Sequence, residues 1–109
     1  MSSIQARNIN HPQHRENLKE EKYALIRAAM LNALPGPDAD AAWQRGMPFS
    51  DLEAAVRAYL EGQRVPMALF PRPGSVRWYT KAVQLDLEAR GIIERLPGVS
   101  PLRLRKASE

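Results

Sequence analysis

The chain has 109 residues and a formal net charge of +4 at pH 7, with 16 Lys and Arg against 12 Asp and Glu. This length predicts one domain with a small core, and the lack of cysteine excludes disulfides, thiolate metal sites and cysteine nucleophiles. No apolar run approaches the roughly 20 residues that cross a bilayer. The polar N-terminus also lacks the apolar stretch of a signal peptide, so we expect a cytoplasmic protein that does not contact a membrane.

The N-terminal third is predicted to be an arm followed by a helix. Residues 1–16 are polar and aperiodic and contain Pro12, which is typical of a flexible arm. Asn17 has the side chain of an N-cap, and apolar residues then recur at three-and-four spacing over residues 18–34. This spacing predicts an amphipathic helix that ends at Pro35.

The middle of the chain is predicted to hold a connector and a second helix. Residues 38–48 have no clear periodicity, and Trp43 within them is expected to close the edge of the core. Ser50 and Glu53 have the spacing of a capping box, in which each side chain accepts from the other's backbone N–H. We therefore expect a helix that begins at Ser50 and ends at Gly62.

A proline-rich loop and a third helix follow. Prolines exclude a regular helix in this loop, and its large apolar residues are expected to pack against the core. The prolines are Pro66, Pro71 and Pro73, and the apolar residues are Met67, Leu69 and Phe70. The third helix is predicted to begin at Ser75, as its N-cap, and to run to Arg90, where Gly91 ends it.

The C-terminal residues are predicted to form a β-hairpin. Residues 92–96 and 102–105 read as strands, and the second of these alternates between leucine and arginine. Pro97-Gly98 between them is a turn signal, because proline presets one central φ and glycine accepts a positive one. Residues 107–109 are expected to be a tail.

Three helices followed by a hairpin are the order of a winged helix-turn-helix, so we predict a mainly α, α+β winged-helix domain over residues 17–106. Residues 83–95 (VQLDLEARGIIER) resemble the "L-x-x-L-E-x-x-G-x-I-x-R" passage of many bacterial winged-helix regulators, the MarR-like ones among them. The longer stretch 70–105 is similar to a family of small uncharacterised bacterial winged-helix proteins with a "G-S-V-x-W-Y-T-x-x-V-x-L-D-L-E-A-R-G" helix. The resemblance implies that Val83 and Leu87 anchor the recognition helix and that Gly91 turns the chain into the wing.

Helical spacing places a polar stripe opposite the apolar face of the third helix, formed by Arg77, Lys81, Gln84 and Glu88. Arginine can bridge guanine and glutamine can pair with adenine in a major groove, while lysine reaches phosphates. We therefore predict a double-stranded DNA-binding protein, a transcriptional regulator, with the helix in the major groove and the hairpin as wing. The predicted DNA contacts are Arg77, Thr80, Lys81, Gln84, Arg95, Arg103, Arg105 and Lys106.

The distribution of charge supports this prediction. Residues 1–63 hold seven Lys and Arg against eight Asp and Glu, a balance of −1, whereas residues 64–109 hold nine against four, a balance of +5. A basic surplus confined to one half is expected where one face meets a polyanion. The same charges also have two purely structural explanations, which are solvation of an exposed face and protection of a sheet edge against aggregation.

The principal alternative is a winged-helix module that binds proteins and not DNA, since fold does not fix function. Trp78 and Tyr79 at the start of the third helix suit either a core or a contact surface. Burial distinguishes the two functions: exposed aromatics with masked Arg77 and Lys81 favour protein contacts, and an open basic surface favours DNA. A homodimer through helix 18–34 and the N-terminal arm is a further hypothesis, motivated by the long apolar stripe of that helix.

The sequence gives no pattern of an enzyme, a metal site or a cofactor site. His11 and His14 flank Pro12 in the expected arm, and no acidic or cysteine ligand is arranged beside them. Asp86 and Glu88 are two residues apart, so on a helix they diverge and cannot act as a carboxylate pair.

Overall fold

The computed structural model describes residues 3–108, which form an α+β fold. The two hairpin strands at the N-terminus are β1 (Ser3–Ala6) and β2 (Glu16–Lys19). The helices are α1 (Glu20–Ala33), α2 (Ala41–Arg45), α3 (Phe49–Gly62) and α4 (Ser75–Ala89), with 3-10 turns at Pro37–Ala39 and Met67–Leu69. The remaining strands are β3 (Met47–Pro48), β4 (Ile93–Arg95) and β5 (Arg103–Lys106).

The strands form two small antiparallel sheets. In the first, β1 pairs with β2, with Ser3 opposite Lys19 and Ala6 opposite Glu16. The second has the order β3-β5-β4, so the short strand before α3 joins the C-terminal hairpin. Leu104 of the central strand is opposite both Met47 and Arg95 and is fully buried.

The core lies where α1, α3 and α4 pack together. Each helix contributes buried apolar residues at three-and-four spacing, and their burial is the main favourable term in folding. They are Ile26, Ala29 and Met30 from α1, Leu52, Val56 and Leu60 from α3, and Val83 and Leu87 from α4. The apolar stripe that motivated a homodimer is therefore buried in the core of this same chain.

The N-terminal segment differs from the predicted flexible arm. Residues 3–19 form the β1–β2 hairpin, whose Ala6 and Leu18 are each 1% exposed and belong to the core. Asn17 is a strand residue and not an N-cap, and α1 begins at Glu20. The prediction failed because alternation over four residues is short, and the strands are joined by a long polar loop without a recognisable turn signal. Residues 1, 2 and 109 of the predicted arm and tail lie outside the described residues.

Two predicted helix caps are also wrong, by two residues for α3 and by one residue for α4. Pro48 is the N-cap of α3 and makes no side-chain cap bond, so Ser50 lies inside the helix and the capping box does not form. Gly74, with φ of 81°, is the N-cap of α4, and Ser75 is its first residue. The positive φ explains the difference, because glycine adopts this left-handed conformation more readily than serine.

The C-terminal part of the chain agrees closely with its predicted elements. Helix α4 ends at Ala89, one residue before the predicted end, and Gly91 follows with a φ of 74°. Strands β4 and β5 lie within one residue of the predicted boundaries, on either side of Gly98 with φ of 70°. The chain here follows its local turn and periodicity signals.

Candidate interaction surface

Helix α4 is covered on both flanks as well as on its inner face. The C-terminal sheet lies along one flank and the N-terminal hairpin along the other, each bonded to a buried carboxylate of the helix, Glu88 and Asp86 respectively. Because these two residues are two positions apart, their side chains point to different sides of α4. This arrangement decides which predicted site residues remain exposed.

The polar stripe predicted to face DNA is largely buried. Gln84 is 0% exposed and Glu88 is 7% exposed, so the expectation that they face outwards is wrong. Arg95 of β4 donates to both carboxylate oxygens of Glu88, at 2.6 and 2.9 Å. Gln84 donates to the same carboxylate through Nε2 and accepts from Lys81 Nζ at 2.9 Å through Oε1. These four side chains form one bonded chain, which we call the Glu88 cluster.

The electrostatics of the Glu88 cluster reflect its partial burial. The hydrogen bonds from Arg95 to Glu88 raise the pKa of Arg95 above its usual value. Burial lowers the pKa of Lys81, aided by the nearby charge of Arg95 and opposed by that of Glu88. The charges that would attract a polyanion are here offset by a carboxylate inside the molecule.

On the other flank, Asp86 is 0% exposed and connects the N-terminal hairpin to α4. The backbone N–H of Arg7 donates to Asp86 Oδ1 at 2.7 Å, and the Tyr23 hydroxyl donates to Oδ2. Arg90, one turn further along α4, donates through Nε at 2.8 Å to Oδ2. We call these residues the Asp86 cluster. Burial and the hydrogen bond to Asp86 raise the pKa of Tyr23 to about 12.

The predicted wing contacts are also bonded within the protein. Arg105 pairs with Glu94 at 2.7 Å and lies over the Trp43 ring at 3.8 Å. Arg103 donates to the Gly46 carbonyl at 3.1 Å. The indole of Trp43 donates to the Lys106 carbonyl at 2.7 Å, so Trp43 lies against the end of the central strand. Arg103 and Arg105 thus hold the C-terminal hairpin against α2 and the residue that follows it.

The remaining predicted contacts lie near the start of α4. Thr80 is fully buried and donates to the Val76 carbonyl at 2.7 Å. Arg77 is exposed and pairs with Glu53 at 2.9 Å, while Lys81 is half-buried with its Nζ 4.5 Å from the centre of the Phe49 ring. The hydrogen bonds from Arg57 and Arg77 lower the pKa of Glu53 against the opposing effect of burial. Of the predicted helix contacts, Arg77 is the most exposed.

The outward side of α4 is less polar than predicted. Trp78 is 50% exposed and packs edge-on against Tyr79, with ring centres 5.2 Å apart. Further along the helix, Ala82 and Leu85 line a pocket of about 200 Å³ against the N-terminal hairpin. The side of the helix that is open to a partner therefore presents an aromatic ring and small apolar side chains beside Lys81.

A second exposed apolar feature is the proline-rich loop, residues 63–74. Met67 at its crest is 86% exposed, contrary to the prediction that it packs against the core, whereas Phe70 is half-buried against Tyr79. Pockets of about 430 Å³ and 540 Å³ lie on the two sides of the loop. The loop and the start of α4 form one continuous surface, because Trp78 and Tyr79 line the larger pocket.

Comparison with known protein families gives one match. The family described as a family of unknown function, DUF6958, matches residues 3–104. The chain belongs to this family. No curated protein and no solved structure matched the chain.

The DUF6958 match includes the N-terminal hairpin, the proline-rich loop and all of α4, whereas Arg105 and Lys106 of β5 lie beyond its end. Within residues 3–108, no group of three or more His, Asp or Glu side chains is placed to hold a metal ion. In the same part of the chain, no helix is long and apolar enough to cross a membrane.

Sequence reasoning did not predict the two buried carboxylate clusters or the exposure of Met67 in the proline-rich loop. Helical periodicity separates an inner from an outer face, but it carries no information about elements that pack on the flanks. A signal for the loop was present, since an apolar residue between prolines in a tight loop has few ways to reach the core. No comparable signal linked Asp86 to Arg7 or Tyr23, which are far away in sequence.

Proposed function

We propose that this DUF6958 protein is a protein-binding module built on a winged helix, which contacts its partner through the outward side of α4. The single observation that carries the proposal is the contrast on that helix. Its predicted DNA-reading side chains are bonded within the molecule, whereas Trp78 is half exposed. Exposed aromatic residues in contiguous patches are typical of contact surfaces between proteins.

The winged-helix assignment is part of the proposal. It is supported by the order of α1, α3 and α4 before the β4–β5 hairpin, and by the strand order β3-β5-β4. The wing tip, residues 96–102, contains no basic residue. A wing that lies along a phosphate backbone would be expected to carry cations at its tip, so the tip also favours a protein partner.

DNA binding is the second candidate, favoured by the basic balance of residues 64–109 and by the exposed Arg77 near the N-terminus of α4. In that function the helix would enter a major groove and the wing would lie on the backbone, as for a transcriptional regulator. A homodimer through α1 and the N-terminal hairpin would then supply two half-sites. Its surface would have to be the exposed face of α1, because the apolar stripe is in the core.

One pair of binding measurements separates the two functions. A random peptide library displayed on phage is selected on the immobilised protein, and a labelled DNA duplex is titrated at low and at physiological salt. We expect peptides that bind the wild type and lose about tenfold or more of their affinity to Trp78→Ala. Duplex binding that falls steeply with salt, depends on Arg77 and ignores Trp78→Ala would overturn the proposal.

The matched substitution for the DNA arm is Arg77→Glu. Charge reversal at Arg103 or Arg105 is unsuitable, because Arg103 bonds the hairpin to the Gly46 carbonyl and Arg105 joins its two strands through Glu94, so their loss would disturb the fold. Arg77 is exposed, and its pairing with Glu53 contributes little to stability at the surface.

A further inference from the structure

We propose that the proline-loop surface, formed by residues 63–74 and the first turn of α4, binds an acidic peptide segment of a partner protein. The segment carries large apolar side chains between its carboxylates. This inference rests on the proposed function, for which it names the binding site and the chemistry of the partner.

The shape of the surface suits an extended or helical segment with separated anchors. One pocket lies between the loop and the end of α3, lined by Leu60, Val65 and Phe70. The other lies between the loop and α1, lined by Leu69, Trp78 and Tyr79. Arg72 lines both pockets, so it stands on the ridge between them. Two apolar pockets on either side of a cation match two apolar side chains on either side of a carboxylate.

The loop and the start of α4 carry charges of one sign only. Residues 62–85 contain four Lys and Arg and no Asp or Glu, although the chain as a whole holds 12 acidic residues. Arg64 and Arg72 are exposed, and within residues 3–108 neither has a carboxylate within ion-pair distance. Lys22 of α1 adds a cation at the rim of the larger pocket. The lining of the smaller pocket also includes one acidic residue, Glu61, which lies at the end of α3.

These cations call for an acidic ligand, and the apolar crest between them favours a peptide over DNA. Met67 is 86% exposed at this crest. A duplex would bring its phosphates against this apolar surface, whereas a peptide can bury its own apolar side chains there. Long-range attraction between the basic surface and an acidic segment would also speed their encounter.

The surface is held in shape before any partner binds. Phe70 packs edge-on against Tyr79 with ring centres 5.5 Å apart, and Lys22 Nζ lies 5.6 Å and 5.4 Å from the centres of these two rings. Pro66, Pro71 and Pro73 restrict the backbone of the loop. A preformed loop loses little conformational entropy on binding, which favours affinity.

The test reads the composition of the peptides selected on phage and then maps their site. We expect selected sequences to be enriched in Asp and Glu beside large apolar residues. A synthetic peptide of the selected sequence should bind Arg72→Glu and Met67→Asp about tenfold or more weakly than the wild type. Arg45→Glu is the matched control, since Arg45 is exposed and lines a different pocket with Pro35 and Arg103. Circular dichroism of each variant verifies that it is folded.

The two tryptophans provide an internal control for mapping by NMR. In a 15N-labelled sample, addition of the peptide should shift the indole N–H signal of Trp78, which lines the larger pocket. The indole N–H signal of Trp43, which is bonded to the Lys106 carbonyl at the end of β5, should not shift.

The other outcomes separate this inference from the proposed function. Peptides without acidic enrichment, or peptides that ignore Arg72→Glu but still lose binding to Trp78→Ala, would overturn the acidic-segment inference alone. A library that gives no binding peptide would overturn both. A DNA duplex that displaces the peptide and loses binding to Arg72→Glu would assign the surface to nucleic acid and also overturn both.

Discussion

The two hairpins of this protein are each bonded to a buried carboxylate of α4, but they differ in how far the partners of that carboxylate are from it in sequence. Glu88 binds Gln84 four residues away and Arg95 seven residues away, so its cluster is local in sequence. Asp86 binds Arg90 four residues away, but its other partners, Arg7 and Tyr23, are 79 and 63 residues away. The Glu88 cluster attaches the C-terminal hairpin to α4, which directly precedes it. The Asp86 cluster attaches the N-terminal hairpin to α4, from which it is far away in sequence.

This difference indicates which of the two buried carboxylates contributes more to the stability of the fold. Removal of a carboxylate costs more where its partners are buried and cannot turn to water. The side chain of Arg95 is 39% exposed and can be rehydrated, whereas Tyr23 is 9% exposed. We therefore expect the Asp86 cluster to be the more important for stability.

The largest effect is expected for Asp86→Ala. The substitution removes the acceptor of the Arg7 N–H and the Tyr23 hydroxyl and leaves Arg90 without its carboxylate. We expect the free energy of unfolding to fall by about 3–5 kcal/mol in urea denaturation, with faster amide exchange in the β1–β2 hairpin. Asp86→Asn keeps one acceptor and should cost less. A loss below about 1 kcal/mol for Asp86→Ala, the size of an ordinary surface effect, would show that the hairpin is held by its apolar contacts alone.

A smaller loss is expected for Glu88→Ala. Gln84 and Arg95 would lose their shared acceptor, but Arg95 can reach solvent. We expect a loss of about 2–3 kcal/mol, measured by the same urea denaturation. Glu94→Ala is the matched control, because the side chain of Glu94 is 37% exposed against 3% for Glu88, and an ion pair of an exposed carboxylate contributes about 1 kcal/mol or less. Equal losses for Glu88→Ala and Glu94→Ala would contradict the special role of the buried carboxylate.

The smallest effect, and the one with a pH signature, is expected for Tyr23→Phe. The pKa of Tyr23 is raised from 10.0 to about 12, so the unfolded chain releases this proton at a lower pH than the folded one. The contribution of Tyr23 to stability is therefore full below pH 10 and is lost as the pH rises towards 12. At neutral pH the variant should be less stable by about 1–2 kcal/mol.

The measurement compares the unfolding free energies of wild type and Tyr23→Phe at neutral pH and at several values between pH 10 and 12. The difference between the two proteins should shrink as the pH rises through this window and should be lost by its upper end. A difference that stays constant across the window would mean that the hydroxyl ionises as freely in the folded protein as in the unfolded one.

The sequence predicted one end of the molecule far better than the other. The β4–β5 hairpin carries Pro97-Gly98 and strict alternation, signals that act within a few residues. The β1–β2 hairpin has no recognisable turn signal and only a short alternation, and its strands are stabilised by burial of Ala6 and Leu18 in a core made by distant helices. Pairing that depends on tertiary packing leaves no local pattern to read.

The candidate site shows the same division. The sequence located α4 and its core residues Val83 and Leu87, because helical spacing reports the inner face, but it left Trp78 open between core and surface. It assigned Gln84 and Glu88 to solvent, since polar residues opposite an apolar face usually lie there. Burial of these residues requires partners, and the main partner, Arg95, is placed by the fold of the C-terminal sheet.

The sequence by itself thus determined that α4 exists, that it ends just before Gly91 and that a hairpin follows, because periodicity, a positive φ and a turn are local properties of the chain. Only the tertiary structure decided that two hairpins cover the flanks of α4. A buried polar side chain is tolerated only where a partner satisfies its hydrogen bonds. Two partners of Asp86, Arg7 and Tyr23, come from the N-terminal part of the chain, and those of Glu88 come partly from a neighbouring strand, so the burial of both carboxylates followed from the assembled fold.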